Sequence, residues 1–221
     1  MSASLAFAAS FEAEAFYHVI CKSVAPEYLF RSDDNKNFFL QRYKDYILPY
    51  TKLLSYCMLN NHTHFLVQIK SCNAITENLE TQLFSVLTKT QREWLASSEK
   101  EITISTLIQR QYNSFFTSYT QAYNKLFDRK GNLFSSPFRR IRIETEEQLT
   151  QAIIYIHANV YKHQLTKDFQ NYKWSSYKAI LSDKQTSIER EMVLQWFGGK
   201  KRFEDCHNLQ ADYYYAEDFF E

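Results

Sequence analysis

The stretch LLSYCMLNNHTHFLVQI, residues 53–69, is two apolar runs of strand-forming residues joined by Asn60-Asn61. An Asn pair between such runs predicts a two-residue hairpin turn, because Asn tolerates the positive φ that a primed turn requires. The second run opens with His62-Thr63-His64. Side chains alternate faces along a strand, so His62 and His64 are expected to point the same way, roughly 6–7 Å apart along the axis. Two imidazoles on one face of a rigid strand can share a divalent cation. The turn is expected to put the pair at a strand end, where a substrate can reach it. A solvated hairpin face can also present an isolated His-x-His, so the rest of the chain must separate the two readings.

Upstream, residues 16–23 (FYHVICKS) read as a strand suited to the middle of a sheet, with His18 a core or edge histidine rather than a ligand. Ser32-Asp33-Asp34 offers a helix N-cap with acids in the first turn. Phe38, Phe39, Tyr43, Tyr46 and Ile47 follow at helical spacing, which predicts a helix over 33–48, stopped by Pro49. The order so far is strand, helix, strand, strand.

Downstream, residues 71–100 are less legible and read as a weak helix or an inserted segment. A stronger helix is expected over 102–129, where Tyr112, Phe116, Tyr119, Tyr123 and Leu126 form a continuous stripe. Such a stripe could stack bases but is more often core. Residues 129–142 (RKGNLFSSPFRRIR) hold Arg129, Lys130, Arg139, Arg140 and Arg142 and no acid, the clearest concentration of positive charge. Phosphate contact is the functional reading. Strand character after Arg139 places some of these arginines on a sheet edge beside the histidines. Thr145-Glu146-Glu147 caps a helix over 146–162, on which Tyr155 and Asn159 lie one turn apart on one face. A helix is expected over 189–199, ended by its glycines, and the final ADYYYAEDFFE reads as an acidic, aromatic tail.

Composition narrows the class. The 221 residues suit one core with a smaller C-terminal extension, and a net charge of +1 confines any nucleic-acid contact to a local patch. Three Gly, with Gly131 isolated and Gly198-Gly199 late, exclude a Gly-rich phosphate loop. Cys21, Cys57, Cys72 and Cys206 form no CxxC pair and read as free thiols in a reducing cytoplasm. The start carries Glu12 and Glu14 and no basic region, so it is not read as a signal peptide. No run approaches a membrane span.

These residues carry a family resemblance. Asn61-His62-Thr63-His64-Phe65-Leu66-Val67 resembles the HUH signature of single-tyrosine transposases. Tyr155-Ile156-His157-Ala158-Asn159-Val160-Tyr161-Lys162-His163 is similar to the helix carrying their nucleophile. Asn132-Leu133-Phe134, Pro137-Phe138-Arg139 and Trp174-Ser175-Ser176-Tyr177 resemble the REP-associated tyrosine transposase branch. The match runs in order from about Phe16 to Phe197. Asn60 and Val160 stand where the family commonly has Pro, and Thr63 where it has a bulkier apolar residue; none of these removes a group that does chemistry.

The resemblance implies an α+β, ferredoxin-like (RRM-like) HUH fold with a central antiparallel sheet. It implies a catalytic domain over 1–165 and a C-terminal helical extension and tail over 166–221. It further implies metal-dependent cleavage and rejoining of single-stranded DNA near hairpins through a 5′-phosphotyrosine. Of the sixteen tyrosines, spacing alone barely favours one; the family motif selects Tyr155. His62, His64 and the amide oxygen of Asn159 would then hold Mg2+ or Mn2+, since phosphate and amide oxygen suit hard cations and imidazole tilts toward Mn2+. Two rivals stand beside this. One is an inactive HUH-fold nucleic-acid-binding protein. The other, a zinc hydrolase, lacks a third His or carboxylate at motif spacing. No sequence feature chooses between monomer and homodimer.

Overall fold

A computed structural model of the protein describes residues 8–216. Its strands β1 (Phe16–Lys22), β2 (Thr51–Met58), β3 (His62–Ile69) and β4 (Arg139–Ile143) form one antiparallel sheet in the order β2-β3-β1-β4. The stretch 53–69 is the expected hairpin, and the Leu59 amide donating to the His62 carbonyl at 2.9 Å closes its turn. Helix α1 (Asp33–Tyr46) joins β1 to β2, with the Ser32 hydroxyl accepting from the Asn35 amide as its cap. Residues 71–100 resolve into two short helices, α2 (Cys72–Glu80) and α3 (Lys89–Ala96), capped by Ser71 and Thr88. Each buries only two or three side chains, which is why no long periodicity announced them. The long helix α4 (Lys100–Leu126) then leads to β4. Strand, helix, strand, strand, helix, strand in this sheet order is the ferredoxin-like topology, and the fold is α+β.

Alternation along the strands gives the sheet two different faces. On one, Phe65 of β3 stacks on Tyr43 of α1, rings 4.4 Å apart, and Phe39 and Phe115 pack beside them at 4.8 Å. Tyr112, Tyr119 and Tyr123 of the predicted stripe are buried on this side, Phe116 is half-buried, and Leu126 at the helix end is exposed. Both crossover helices, α1 and α4, therefore cover the same face. The opposite face would be bare without α5 (Glu146–Lys162), which starts at a capping box between Thr145 and Gln148 and lies across it.

After α5 come α6 (Tyr177–Leu181), α7 (Arg190–Phe197) and α8 (Lys200–Ala216). Gly198, at φ +75°, ends α7 as the sequence suggested. Residues 211–216, expected in a tail, are the last turns of α8, and 217–221 lie outside the described residues. The extension also seals the open edge of β2. The Met58 amide donates to the Trp174 carbonyl, Ser176 to Tyr56 and Glu189 to Leu53, all at 2.9 Å. Unpaired strand edges invite association, so this cover removes a liability. The four cysteines are free thiols, and burial pushes Cys21 up to about 12, far from nucleophilic. No helix among the described residues is long and apolar enough to cross a membrane.

Candidate active site

The register puts His62 and His64 on the face that α5 covers. His64 pairs across the sheet with Ile20 of β1 and Cys57 of β2, so it sits on one of the two central strands. The imidazole rings of His62 and His64 lie 5.0 Å apart. Tyr155 of α5 comes down onto them, its ring 5.8 Å from His64 and 6.0 Å from His18. His62, His64 and Tyr155 thus converge, with Asn159 on the next turn of the same helix.

They do so inside the protein, which corrects one expectation. His62 and His64 are 1% and 0% exposed, and Tyr155 and Asn159 are each 1% exposed. A strand end beside a turn is open only if nothing packs on it, and here α5 does. A shallow cleft of about 180 Å3 remains at the rim, where His62 meets Lys22, Pro137, Phe138 and Arg139.

A hydrogen bond to Asn61 determines which ring nitrogen of His62 presents a lone pair, whereas the contact between His18 and His64 allows either direction. His62 Nδ1 lies 2.8 Å from Asn61 Oδ1, an acceptor only, so Nδ1 donates and the neutral ring carries its lone pair on Nε2. His64 Nδ1 lies 2.9 Å from His18 Nε2. With His64 as donor, His18 accepts and His64 also turns a lone pair outward on Nε2. That nitrogen is buried and has no hydrogen-bond partner. Burial above all, and then the charges of His62, His18, His163 and Lys22, hold His64 well below the usual imidazole range, so it is neutral near pH 7. Asn159 Nδ2 donates to the Tyr155 carbonyl at 2.8 Å, which leaves Oδ1 as a second buried acceptor without a partner. An acceptor without a donor deep in a protein is costly. Two imidazole nitrogens and an amide oxygen of this kind suit a divalent cation. Among the described residues no three His, Cys, Asp or Glu side chains form a metal-holding group.

Two orienting residues escaped the sequence reading. The turn and the motif give Asn61 no orienting role, and the strand pattern makes His18 a core or edge histidine; His18 is buried, and it is the hydrogen-bond partner of His64. Only the β1–β3 register, with His18 opposite Leu66 and Ile20 opposite His64, reveals that it shares their face. His163, at the end of α5, brings a further imidazole to within 4.6 Å of His62.

A one-directional chain of hydrogen bonds clamps α5 from behind. The Phe203 carbonyl accepts from His207 Nδ1 at 2.7 Å, so His207 Nε2 accepts from His157 Nδ1 at 2.8 Å. His157 Nε2 then accepts from the Ser176 hydroxyl at 2.7 Å, and that oxygen accepts the Tyr56 amide at 2.9 Å. Ser176 belongs to the WSSY motif and His157 to the tyrosine-helix motif, so the fold joins two motifs that lie on separate elements. Both histidines are buried and neutral; burial lowers His157 well below its ordinary value and His207 to about 4.

The basic segment is divided. Along β4, Arg139 shares the histidine face and lines the cleft at His62. Arg140 and Arg142 point to the other face. Arg140 lies over Phe11 and Phe138, at 5.0 and 5.2 Å, and donates to the Ala9 carbonyl and to Gln109 Oε1. Arg142 pairs with Glu12 and Glu144. Arg129 pairs with Glu27 at 3.0 Å and donates to the Asn132 carbonyl at 2.7 Å, while Lys130 is exposed. The expected patch beside the histidines is thus brought together only at Arg139, joined by Lys22, which the sequence did not single out.

No protein-family model matches the chain, and no curated protein matches it. A solved structure described as a REP-associated tyrosine transposase bound to a REP hairpin is similar to it, with a TM-score of 0.52 and 10% identity over 80% of this chain and 84% of that one. The likeness establishes that this chain has the fold of a REP-associated tyrosine transposase.

Proposed function

We propose that this protein is a DNA transposase or endonuclease of HUH type that cleaves and rejoins single-stranded DNA beside hairpins through a 5′-phosphotyrosine on Tyr155. The observation that supports the reading is the convergence of Tyr155, His62 and His64 on one sheet face, with the buried Nε2 of His64 and the amide oxygen of Asn159, one turn from Tyr155, without hydrogen-bond partners. His62, His64 and Asn159 would hold Mg2+ or Mn2+, which when bound neutralises phosphate charge and makes the phosphorus a better electrophile. His18 and Asn61 hold the two imidazoles in the tautomer that faces the cation. Lys22 and Arg139 attract the strand at the rim. The Tyr155 oxygen attacks phosphorus and displaces the 3′-oxygen; the covalent link conserves the bond for rejoining without ATP. Residues 1–165 carry this chemistry, and 166–221 support α5 through the His157 chain.

Because Tyr155 is 1% exposed, the described conformation is closed, and the reaction requires α5 to move away from the histidines. The same burial favours the rival reading, a nucleic-acid-binding protein of this fold that has no turnover. Incubation with hairpin oligonucleotides bearing unpaired flanks, with Mn2+ and a denaturing gel, separates the two. Wild type should yield a protein–DNA adduct. Tyr155→Phe keeps the ring that packs on His18 and His64, so it should fold and bind but give no detectable adduct. An adduct from Tyr155→Phe would move the nucleophile elsewhere, with Tyr161 the first candidate. No adduct from wild type under several metals would leave the binding protein.

A further inference from the structure

Helix α4 and the segment 132–138 leave a groove of about 440 Å3 between them. The helix wall is a row at four-residue steps, Gln109, Asn113, Thr117 and Gln121, which an α-helix aligns on one face. No charged residue occurs from Gln111 to Asn124, although charged residues make up 23% of the chain. Exposed helix faces are ordinarily charged. The facing wall, Asn132 to Phe138, is uncharged too, and Phe116 and Phe138 add aromatic surface, their rings 5.3 Å apart. A neutral groove of amides, hydroxyls and rings suits a flat, uncharged ligand edged with donors and acceptors, which describes a nucleobase and not a phosphate.

Two features tie this groove to the site. Ser135, Pro137 and Phe138 wall both the groove and the cleft of Lys22, His62 and Arg139, so the two are adjoining compartments. The amides are also oriented in advance. Arg140 has only donors, and it donates to Gln109 Oε1. Gln109 must therefore turn its NH2 to Asn113 Oδ1, 3.2 Å away, and Asn113 is left to offer its own NH2. Arg140, half-buried on the face away from the histidines, thus acts on the groove.

We infer that the groove between α4 and residues 132–138 holds one unpaired base of the DNA strand whose neighbouring phosphate lies at Lys22 and Arg139, and that it makes the protein selective at that nucleotide. The inference rests on the DNA reading above and adds a site for sequence discrimination. Its test uses the full chain without metal and labelled hairpin oligonucleotides with unpaired 5′ and 3′ flanks. Each flank position is replaced in turn by an abasic site, and affinity is read by fluorescence anisotropy. Wild type should lose roughly tenfold in affinity at one position. Asn113→Ala with Gln121→Ala, both exposed residues, should keep the wild-type melting temperature and salt dependence while that penalty shrinks below about twofold. An undiminished penalty in the double variant, or no penalised position in a wild type that still forms the adduct, overturns the inference and leaves the DNA reading standing. A wild type that neither binds these oligonucleotides nor forms an adduct overturns both.

Discussion

On one side of β3, Phe65 lies flat on Tyr43 with the rings 10° from parallel; on the other, His64 sits among His18, His62 and Tyr155. The two side chains are adjacent in sequence, and both are 0% exposed. The aromatic side resolves most of its polar atoms at the edges, where Tyr17, Tyr119 and Tyr123 donate to the carbonyls of Ser10, Leu29 and Tyr28. Hydroxyls of Tyr43 and Tyr112 stay inside it, un-ionised because burial raises them. The imidazole side keeps the ring nitrogen Nε2 of His64 and the amide oxygen of Asn159 without a hydrogen-bond partner, as the aromatic side keeps the hydroxyls of Tyr43 and Tyr112. A fold seeking stability alone would fill both sides with hydrocarbon. What distinguishes the second side is the kind of group retained there, imidazoles and an amide beside a tyrosine, which is the basis of the function proposed above.

The largest expected effect breaks the symmetry of burial. Phe65→Ala should cost about 3–5 kcal/mol in urea unfolding, because it opens a cavity among Tyr43, Phe39 and Tyr56. His18→Leu with His64→Leu removes both partners of one buried hydrogen bond, so it should change stability by no more than about 1 kcal/mol and abolish adduct formation. A Phe65-sized loss from the histidine double variant would make that face ordinary core.

Acid should discriminate next. His207 titrates near 6.5 when unfolded and near 4 when folded, so the unfolded chain binds more protons between those values. Its contribution is complete above pH 6.5 and is lost as pH falls toward 4, by about 3 kcal/mol. Urea midpoints at pH 7.5 and 4.5 should therefore converge in His207→Leu relative to wild type. Equal acid sensitivity in the two would remove the His157–His207 chain as the clamp on α5.

The smallest effects concern the arginines. Arg139→Ala and Lys22→Ala should each reduce the slope of log affinity against log salt by about 1. Arg142→Ala, already paired with Glu12, should leave the slope nearly unchanged. Equal slopes for all three would disperse the phosphate contact over both faces of β4.

Much of this was legible in residue order. The hairpin, the Ser32 and Thr145 caps and the stripe of α4 are local, and period-two alternation places His62 with His64 in any sheet. The same alternation separates Arg139 from Arg140 and Arg142, a division that the run of like charges concealed. Residues 71–100 were opaque because two short helices of different phase leave no shared period.

By itself the sequence determined the strands, the helices α1, α4, α5 and α7, their order, and which side chains share a strand face or a helix face, since these depend on neighbours within a few residues. The tertiary structure alone decided that His18 meets His64, that Ser176 meets His157, and that α5 closes over the histidines and buries them. Those contacts join residues 46, 19 and about 90 positions apart. They follow from strand register and helix docking, which local periodicity does not encode.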